Sequence, residues 1–238
     1  MKEKVIGILG GMGPEATLDC FAKIINNTPA KTDQEHLRVI IDSNPKVPDR
    51  TAAIIGENES PVPILAAGCR SLQLAGADFI IIPCVSAHFF LDEIQKQIEL
   101  PILSIFDVVT ETLASDHPQI KTVGLMSTTG TISGGLFQKR LSTEGIKTIV
   151  PDETHQSKVM AAIYDIKNSQ PARSRAQITS DLVAAAGSLI SNGARGIIAG
   201  CTEIPLALKQ EHLSVPYFDA LTLLAHAAVL RAGLIPIP

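Results

Sequence analysis

The chain has no tryptophan, only two tyrosines and seven phenylalanines among 238 residues, and no block of lysine or arginine. With 20 basic against 24 acidic side chains and a formal charge of −4, it lacks the basic, aromatic-laced surface that grips nucleic acid, and nucleic acid is excluded as a partner. Cysteine is scarce as well. Cys20, Cys69, Cys84 and Cys201 lie far apart, without the CxxC pairs of a zinc site or the short spacings of a secreted disulfide framework. His36, His117, His155, His212 and His226 show no metal-ligand spacing. No apolar run approaches the roughly 18 residues of a membrane span. The opening MKEKVIGILGGMGPEA has an apolar stretch too short and too broken by glycine for a signal peptide, and reads as a strand. These absences place the protein in a reducing cytoplasm, away from membranes.

What is present is ample apolar content, 45% of residues, enough for one large domain or two small ones. Short runs rich in β-branched residues alternate with longer helical patterns: VIGIL then PEATLDCFAKIINN, LRVIID then a loop, VPILAAGCRSLQLAGA then FIIIPC. That alternation predicts βαβ units and a parallel sheet. The strands are apolar without alternating, as expected where helices cover both faces.

The same wording occurs twice. GADFIIIPC (76–84) and GARGIIAGC (193–201) share five of nine letters, and both end on cysteine at an offset of 117 (201 − 84). Ile6-Gly7-Ile8-Leu9 aligns with Val123-Gly124-Leu125-Met126 at that offset, and Pro101 finds a counterpart in Pro216 at 115. The expected fold is therefore α/β: two tandem pseudo-symmetric doubly wound units with parallel sheets, related by an approximate two-fold axis, with the active site in the cleft between them. The expected domains are 1–99 plus 216–238, and 100–215.

Cys84 and Cys201 end equivalent strands, where open α/β sheets bind ligands. The following residues, Ser86-Ala87-His88 and Thr202-Glu203-Ile204, read as first turns of helices. Backbone N–H groups there favour anions and lower a thiol's pKa from about 8.5. Cys20 and Cys69, inside helical patterns, read as inert packing. Two matched thiols about a small anion suit one reaction: one thiolate removes a proton from one face of a carbon, the other thiol returns one to the opposite face, and amide N–H groups steady the charge that develops. Gly11-Met12-Gly13-Pro14-Glu15-Ala16 fits the loose pattern of a dinucleotide loop, with Asp42 as a ribose-binding acid, but Pro14 removes an amide that would face pyrophosphate and suits a first helical position. Met12 and Gly13 read instead as part of a carboxylate cradle. His88, one helical turn beyond Cys84, suits polarising the thiol, capping the helix or meeting a backbone carbonyl.

Taken in order, GILGGMGPEAT (7–17), PDRT (48–51), PCVSAH (83–88), STTGT (127–131), PDETHQ (151–156), IYDIK (163–167) and GCTEIPL (200–206) make the chain resemble the cofactor-independent aspartate/glutamate racemases, aspartate racemases most of all. The resemblance implies Cys84 and Cys201 as acid/base thiols, working on L- or D-aspartate or glutamate without pyridoxal phosphate or metal, in a homodimer. It implies that Arg50, within DSNPKVPDRT, grips the substrate's side-chain carboxylate with help from Lys167, and that Ser86, Thr128, Thr202 and Glu203 also line the site. By the same analogy Cys201 takes the α-proton of the L-isomer and Cys84 that of the D-isomer. One position departs: where the family has Asn-Thr after its first cysteine, this chain has Val85-Ser86. Losing a polar contact there costs about 1 to 3 kcal/mol. That leaves open a weakened racemase, another substrate, a related dicarboxylate isomerase or decarboxylase, or an idle binder of acidic amino acids.

Overall fold

A computed structural model describes residues 3–237. The chain forms two compact units, one running to Val108 and resuming at Leu221, the other Val109–Ala220. The first comprises β1 (Ile6–Gly10), α1 (Pro14–Asn27), β2 (Val39–Ser43), α2 (Arg50–Ile54), α3 (Val62–Leu74), β3 (Phe79–Ile81), a 3-10 turn at Val85–Phe90, α4 (Leu91–Gln95) and the start of α5 (Ile105–Asp116). The second continues through β4 (Thr122–Met126), α6 (Thr129–Gly134), α7 (Leu136–Ser142), β5 (Lys147–Ile149), α8 (Glu153–Lys167), α9 (Arg175–Ser191), β6 (Ile197–Ala199), a 3-10 turn at Ile204–Leu206 and β7 (Tyr217–Asp219). The first unit is then completed by α10 (Ala220–Ala232).

Each unit has its own parallel sheet, in the orders β2-β1-β3 and β5-β4-β6-β7. Beyond β3 the fourth place is taken by a single parallel bridge, Ile80 to Ile102. In both sheets the unit's first strand therefore sits between its second and third, which is the arrangement of a doubly wound fold with its switch point at the first and third strands. The crossings between units fall later in the chain than 99/100 and 215/216, for reasons of pairing. Ile102 stays with Ile80, while Tyr217–Asp219 pairs with Ile197–Ala199 and so belongs to the second sheet.

The repeat is visible bond by bond at the offset of 117. Asp78 N–H donates to Val5 O as Arg195 N–H does to Thr122 O, both at 2.9 Å. Ala77 N–H meets Leu72 O at 3.1 Å, and Ala194 N–H meets Leu189 O at 3.0 Å. Ile80 N–H reaches Pro101 O at 3.0 Å, and Ile197 N–H reaches Pro216 O at 2.9 Å, the proline partners here being 115 apart. Gly76 and Gly193, which end α3 and α9, have φ of +93° and +100°, a conformation that L side chains avoid. A Cβ on Gly7 would lie 3.0 Å from Ala77 Cβ, and one on Gly124 2.9 Å from Leu189 Cβ, so both first strands are crowded at the matching position.

The elements follow from their sequences. Pro14 opens α1, where its missing N–H costs nothing, and Ala16, Thr17, Cys20 and Ile24 bury one face. Ser174 and Gln177 close a capping box on α9, whose Ile178, Leu182, Ala185, Ala186 and Leu189 face the second core. Every residue of β1, β3 and β6 is buried, as their uninterrupted apolar character predicts. Cys20 and Cys69 are fully buried, and burial pushes the Cys69 thiol up to about 12, so both are packing residues. Among the described residues no helix is long and apolar enough to cross a membrane.

Candidate active site

In the first unit the candidate residues gather beyond the carboxyl ends of β1 and β3. The loop after β1 is held from within. Thr17 of α1 accepts from Gly11 N–H at 2.8 Å and donates to Gly13 O at 2.9 Å. A Cβ on Gly11 would lie 2.4 Å from the Asn44 backbone, so only glycine fits there. The Gly11 amide is thus turned inward, which is not the use a dinucleotide loop makes of it. Met12 is buried, and its carbonyl accepts from Arg50 Nη2 at 3.4 Å.

Arg50 is the first residue of α2, because Asp49 caps that helix by accepting from Ala52 N–H at 2.9 Å. Its Nη1 donates to Val47 O at 3.1 Å and Pro48 O at 2.9 Å. One guanidinium therefore ties the β1 loop to the segment before α2. Held so, a planar fork of donors is oriented before any carboxylate arrives.

Cys84, 5% exposed, follows β3, and its carbonyl accepts from Ala87 N–H at 3.2 Å to start the 3-10 turn. Val85 and Ser86 are buried within that turn. His88 is buried too, with Nε2 3.1 Å from Ile82 O and Nδ1 3.4 Å from Ile105 N–H. A carbonyl can only accept and an amide can only donate, which assigns the proton to Nε2. Burial, above all, lowers the His88 pKa to about 4, so the ring is neutral. Of the three roles read for His88 from the sequence, the backbone contact is the one made: it fastens the approach to Cys84 onto the start of α5.

In the second unit the corresponding place lies beyond β4 and β6. Ser127 Oγ donates to Gly200 O, and Gln156 of α8 donates to Ser127 O at 3.0 Å. Thr128 caps α6: its hydroxyl accepts from Thr131 N–H at 3.2 Å. Cys201, 5% exposed, repeats the turn of Cys84, its carbonyl accepting from Ile204 N–H at 3.1 Å. Its side chain has a partner. Cys201 Sγ lies 3.0 Å from Glu203 Oε2, which also accepts from Thr202 Oγ1 at 3.3 Å. Lys167, in the last turn of α8, places Nζ 3.8 Å from the other oxygen, Oε1. Glu203 is 3% exposed, so this is a buried carboxylate between a thiol and an ammonium.

Two expectations are corrected here. The residues after each cysteine open as 3-10 helix rather than as α-helix: Val85–Phe90 runs directly into α4, whereas Ile204–Leu206 is a single short turn. The Cys201 thiol is also not acidified. Burial first, then the Glu203 charge, pushes it well above its ordinary value, with Lys167 opposing. Cys201 rests protonated, donating to Glu203.

The structure brings Met12, Gly13, Arg50, Cys84, Val85, Ser86 and His88 to one strand end of the first unit, and Thr128, Lys167, Cys201, Thr202 and Glu203 to the matching end of the second. Sequence reasoning missed Thr17, Ser127 and Gln156. All three lie inside the quoted motifs GILGGMGPEAT, STTGT and PDETHQ, which is the signal that could have found them. Among the described residues no group of three or more His, Cys, Asp or Glu side chains is placed to hold a metal ion.

Known proteins share this chain's fold and family. The profile of the Asp/Glu/hydantoin racemase family matches residues 9–228. The chain is 32% identical over 232 residues to the broad specificity amino-acid racemase RacX of Bacillus subtilis (strain 168), covering 94% of this chain and 96% of the relative. Among solved structures it resembles the aspartate racemase of Picrophilus torridus (TM-score 0.85, 29% identity, 97% of this chain and 95% of the other). It also resembles an aspartate racemase homologue from Pyrococcus horikoshii OT3 (TM-score 0.75, 26% identity, 96% and 99%). With the repeated sheet, the matched cysteines and a family match across nearly the whole chain, this protein belongs to the Asp/Glu/hydantoin racemase family and is an isomerase of the amino-acid racemase type.

Proposed function

We propose that the protein interconverts L- and D-aspartate, with glutamate as the next substrate, by a two-thiol mechanism without pyridoxal phosphate or metal. Cys84 and Cys201 act on opposite faces of the α-carbon. One thiolate takes the α-proton, leaving a carbanion whose charge is shared with the substrate carboxylate; the opposite thiol protonates that carbon and becomes the thiolate. Each turnover thus moves one proton from substrate to sulfur and another from sulfur to product, and inverts the carbon.

The observation that supports this reading is the matched pair of turns. Each thiol sits beyond the third strand of its unit, in a turn closed by the same Cys O to i+3 N–H bond. The side chains around them divide the labour. Arg50, oriented by three backbone carbonyls, receives a carboxylate. Glu203 holds the Cys201 proton, which makes that thiol a donor at rest. With Cys201 taking the L-isomer's proton and Cys84 the D-isomer's, a protonated Cys201 suits the D-to-L direction. The equilibrium constant of racemisation is unity, so kcat/KM is the same in both directions while kcat and KM individually differ. The enzyme acts in the cytoplasm as a homodimer.

The test is incubation with L-aspartate in heavy water without added cofactor, following α-deuterium and D-isomer. Exchange with inversion is expected. Failure to exchange either enantiomer of aspartate or glutamate overturns the reading, and binding without exchange favours an idle binder.

A second reading has a specific support. RacX is named for broad specificity, and Val85 offers this chain an apolar, buried side chain next to Cys84. On that reading the enzyme also racemises amino acids with neutral side chains. A panel of enantiomers, compared by kcat/KM, separates the two: a preference for aspartate of about tenfold or less favours the broad enzyme.

A further inference from the structure

One charged group lies outside both strand ends and is still tied to one of them through the backbone. Lys167 reaches Glu203 from the last turn of α8. The local sequence does little to fix where that turn stops: the cap residue Asn168 contributes its backbone N–H, to Asp165 O. From 168 to 174 every residue but one is exposed. The exception, Arg173, folds back. Its Nε donates to Asp165 Oδ2 at 2.6 Å and its Nη1 to Asp181 Oδ2 at 2.7 Å. Asp165 stands two residues before Lys167 in the same turn, and Asp181 belongs to α9. Lys158 of α8 meets the other oxygen of Asp181 at 3.5 Å, about two and a half turns from Lys167.

These side chains are only partly exposed, 24% for Arg173 against 15% and 24% for the two aspartates. A guanidinium that spans two carboxylates in fixed geometry is the strong kind of ion pair, and it is screened less than one in open water. Without it Asp165 would lose its cation and face Asp181 across the α8–α9 joint, where like charges repel. A lysine side chain has four flexible carbons, so the position of its ammonium depends on how firmly its own turn is held.

We propose that Arg173 is a positioning residue for Lys167: by binding Asp165 to Asp181 it sets the last turn of α8, and through it the contact of Lys167 with the Glu203 carboxylate beside Cys201. The assignment rests on the reading in which Lys167 and Cys201 serve one amino-acid substrate.

The test is a double-mutant cycle on the intact chain, with the alkylation rate of Cys201 by iodoacetamide at fixed pH as a first readout, resolved by mass spectrometry from Cys84. Arg173→Ala is expected to change that rate by about three- to tenfold in the parent, yet by less than about twofold in a Lys167→Ala background. Asp165→Asn, which removes only the arm that reaches α8, should reproduce the effect if Arg173→Ala folds poorly. Arg173→Lys should fall between, since an ammonium keeps the charge but lacks the planar fork whose separate nitrogens reach the two carboxylates, and Lys158→Ala should leave the rate within twofold. The second readout is KM for aspartate, raised about three- to tenfold by Arg173→Ala with kcat changed less. Equal effects of Arg173→Ala with and without Lys167, or none from either Arg173→Ala or Asp165→Asn, overturn the assignment. A cycle that behaves as expected in a protein that exchanges no α-proton sustains the positioning role and sinks the racemase reading instead.

Discussion

The turn after Cys84 and the turn after Cys201 share a backbone and differ in side chains. Both follow the third strand of their unit, and both close with the cysteine carbonyl accepting an amide three residues on. At the offset of 117, Val85 stands opposite Thr202, Ser86 opposite Glu203, and His88 opposite Pro205. The second turn surrounds its thiol with a carboxylate, a hydroxyl and an ammonium. The first offers an apolar neighbour and a neutral histidine committed to the backbone. A repeated backbone can deliver two thiols at equivalent places; what each thiol does at rest is set by the residues that broke the repeat. The same backbone thus gives a protonated, charge-coupled thiol on one side and a differently furnished one on the other.

That comparison can be broken most sharply at the thiols. Cys84→Ala and Cys201→Ala should each lower racemisation by about 10²- to 10⁴-fold, the usual worth of a positioned acid or base, measured by chiral chromatography. Near-parental racemisation by either variant would mean that the two turns are alike only in shape.

The next effect belongs to the first unit alone. His88 is held neutral, so the unfolded chain takes up a proton that the folded one refuses between the ordinary pKa of about 6.5 and the folded value of about 4. The stability this contributes is complete above pH 6.5 and is lost as pH falls toward 4, about 3 kcal/mol in all. Urea unfolding at pH 7 and pH 4.5 should show the loss in the parent and a flatter response in His88→Gln. Equal slopes for the two proteins would place the acid sensitivity elsewhere.

Glu203→Gln removes the charge that discourages a thiolate at Cys201. Its expected result is a lower Cys201 pKa, read as faster Cys201 alkylation at fixed pH, with Cys84 alkylation unchanged. The kcat values in the two directions should then shift unequally while their kcat/KM values remain equal. The smallest effect is expected from Val85→Thr, which gives the first turn the residue found at the same place in the second. A buried hydroxyl costs stability of about 1 kcal/mol unless it finds a partner, so kcat/KM for aspartate should rise a few-fold with a small loss in melting temperature. No change in kcat/KM would show that Val85 faces away from the substrate.

Much of the fold could be read from local patterns. The apolar, non-alternating strands, Pro14 at the start of α1 and the glycines at 76 and 193 each report a local physical need, and a local need is written in adjacent residues. The cysteine pair could be read because the repeat carried it. That the helical turns after each cysteine open as 3-10 rather than α could not, since a tight 3-10 turn and a first α turn use the same residue types. The state of Cys201 was also out of reach. A helix-start argument predicts acidification, but desolvation and the carboxylate of Glu203 act in the opposite direction, and neither burial nor a 3.0 Å contact is visible in a string of letters. Arg50 shows the intermediate case: its residue type suits a carboxylate, while its three carbonyl partners emerge only when the loops before α2 and after β1 are brought together.

The sequence by itself determined that this is a doubled α/β protein with a thiol at the end of one strand in each half, because strand pattern, helix period and glycine placement are short-range properties repeated at one offset. Only the tertiary structure decided which groups surround those thiols. It brought Lys167, 34 residues before Cys201 in the chain, to the Glu203 carboxylate that accepts from the Cys201 thiol, and set His88 between Ile82 and Ile105, because electrostatics and desolvation act through space and depend on what the fold buries together.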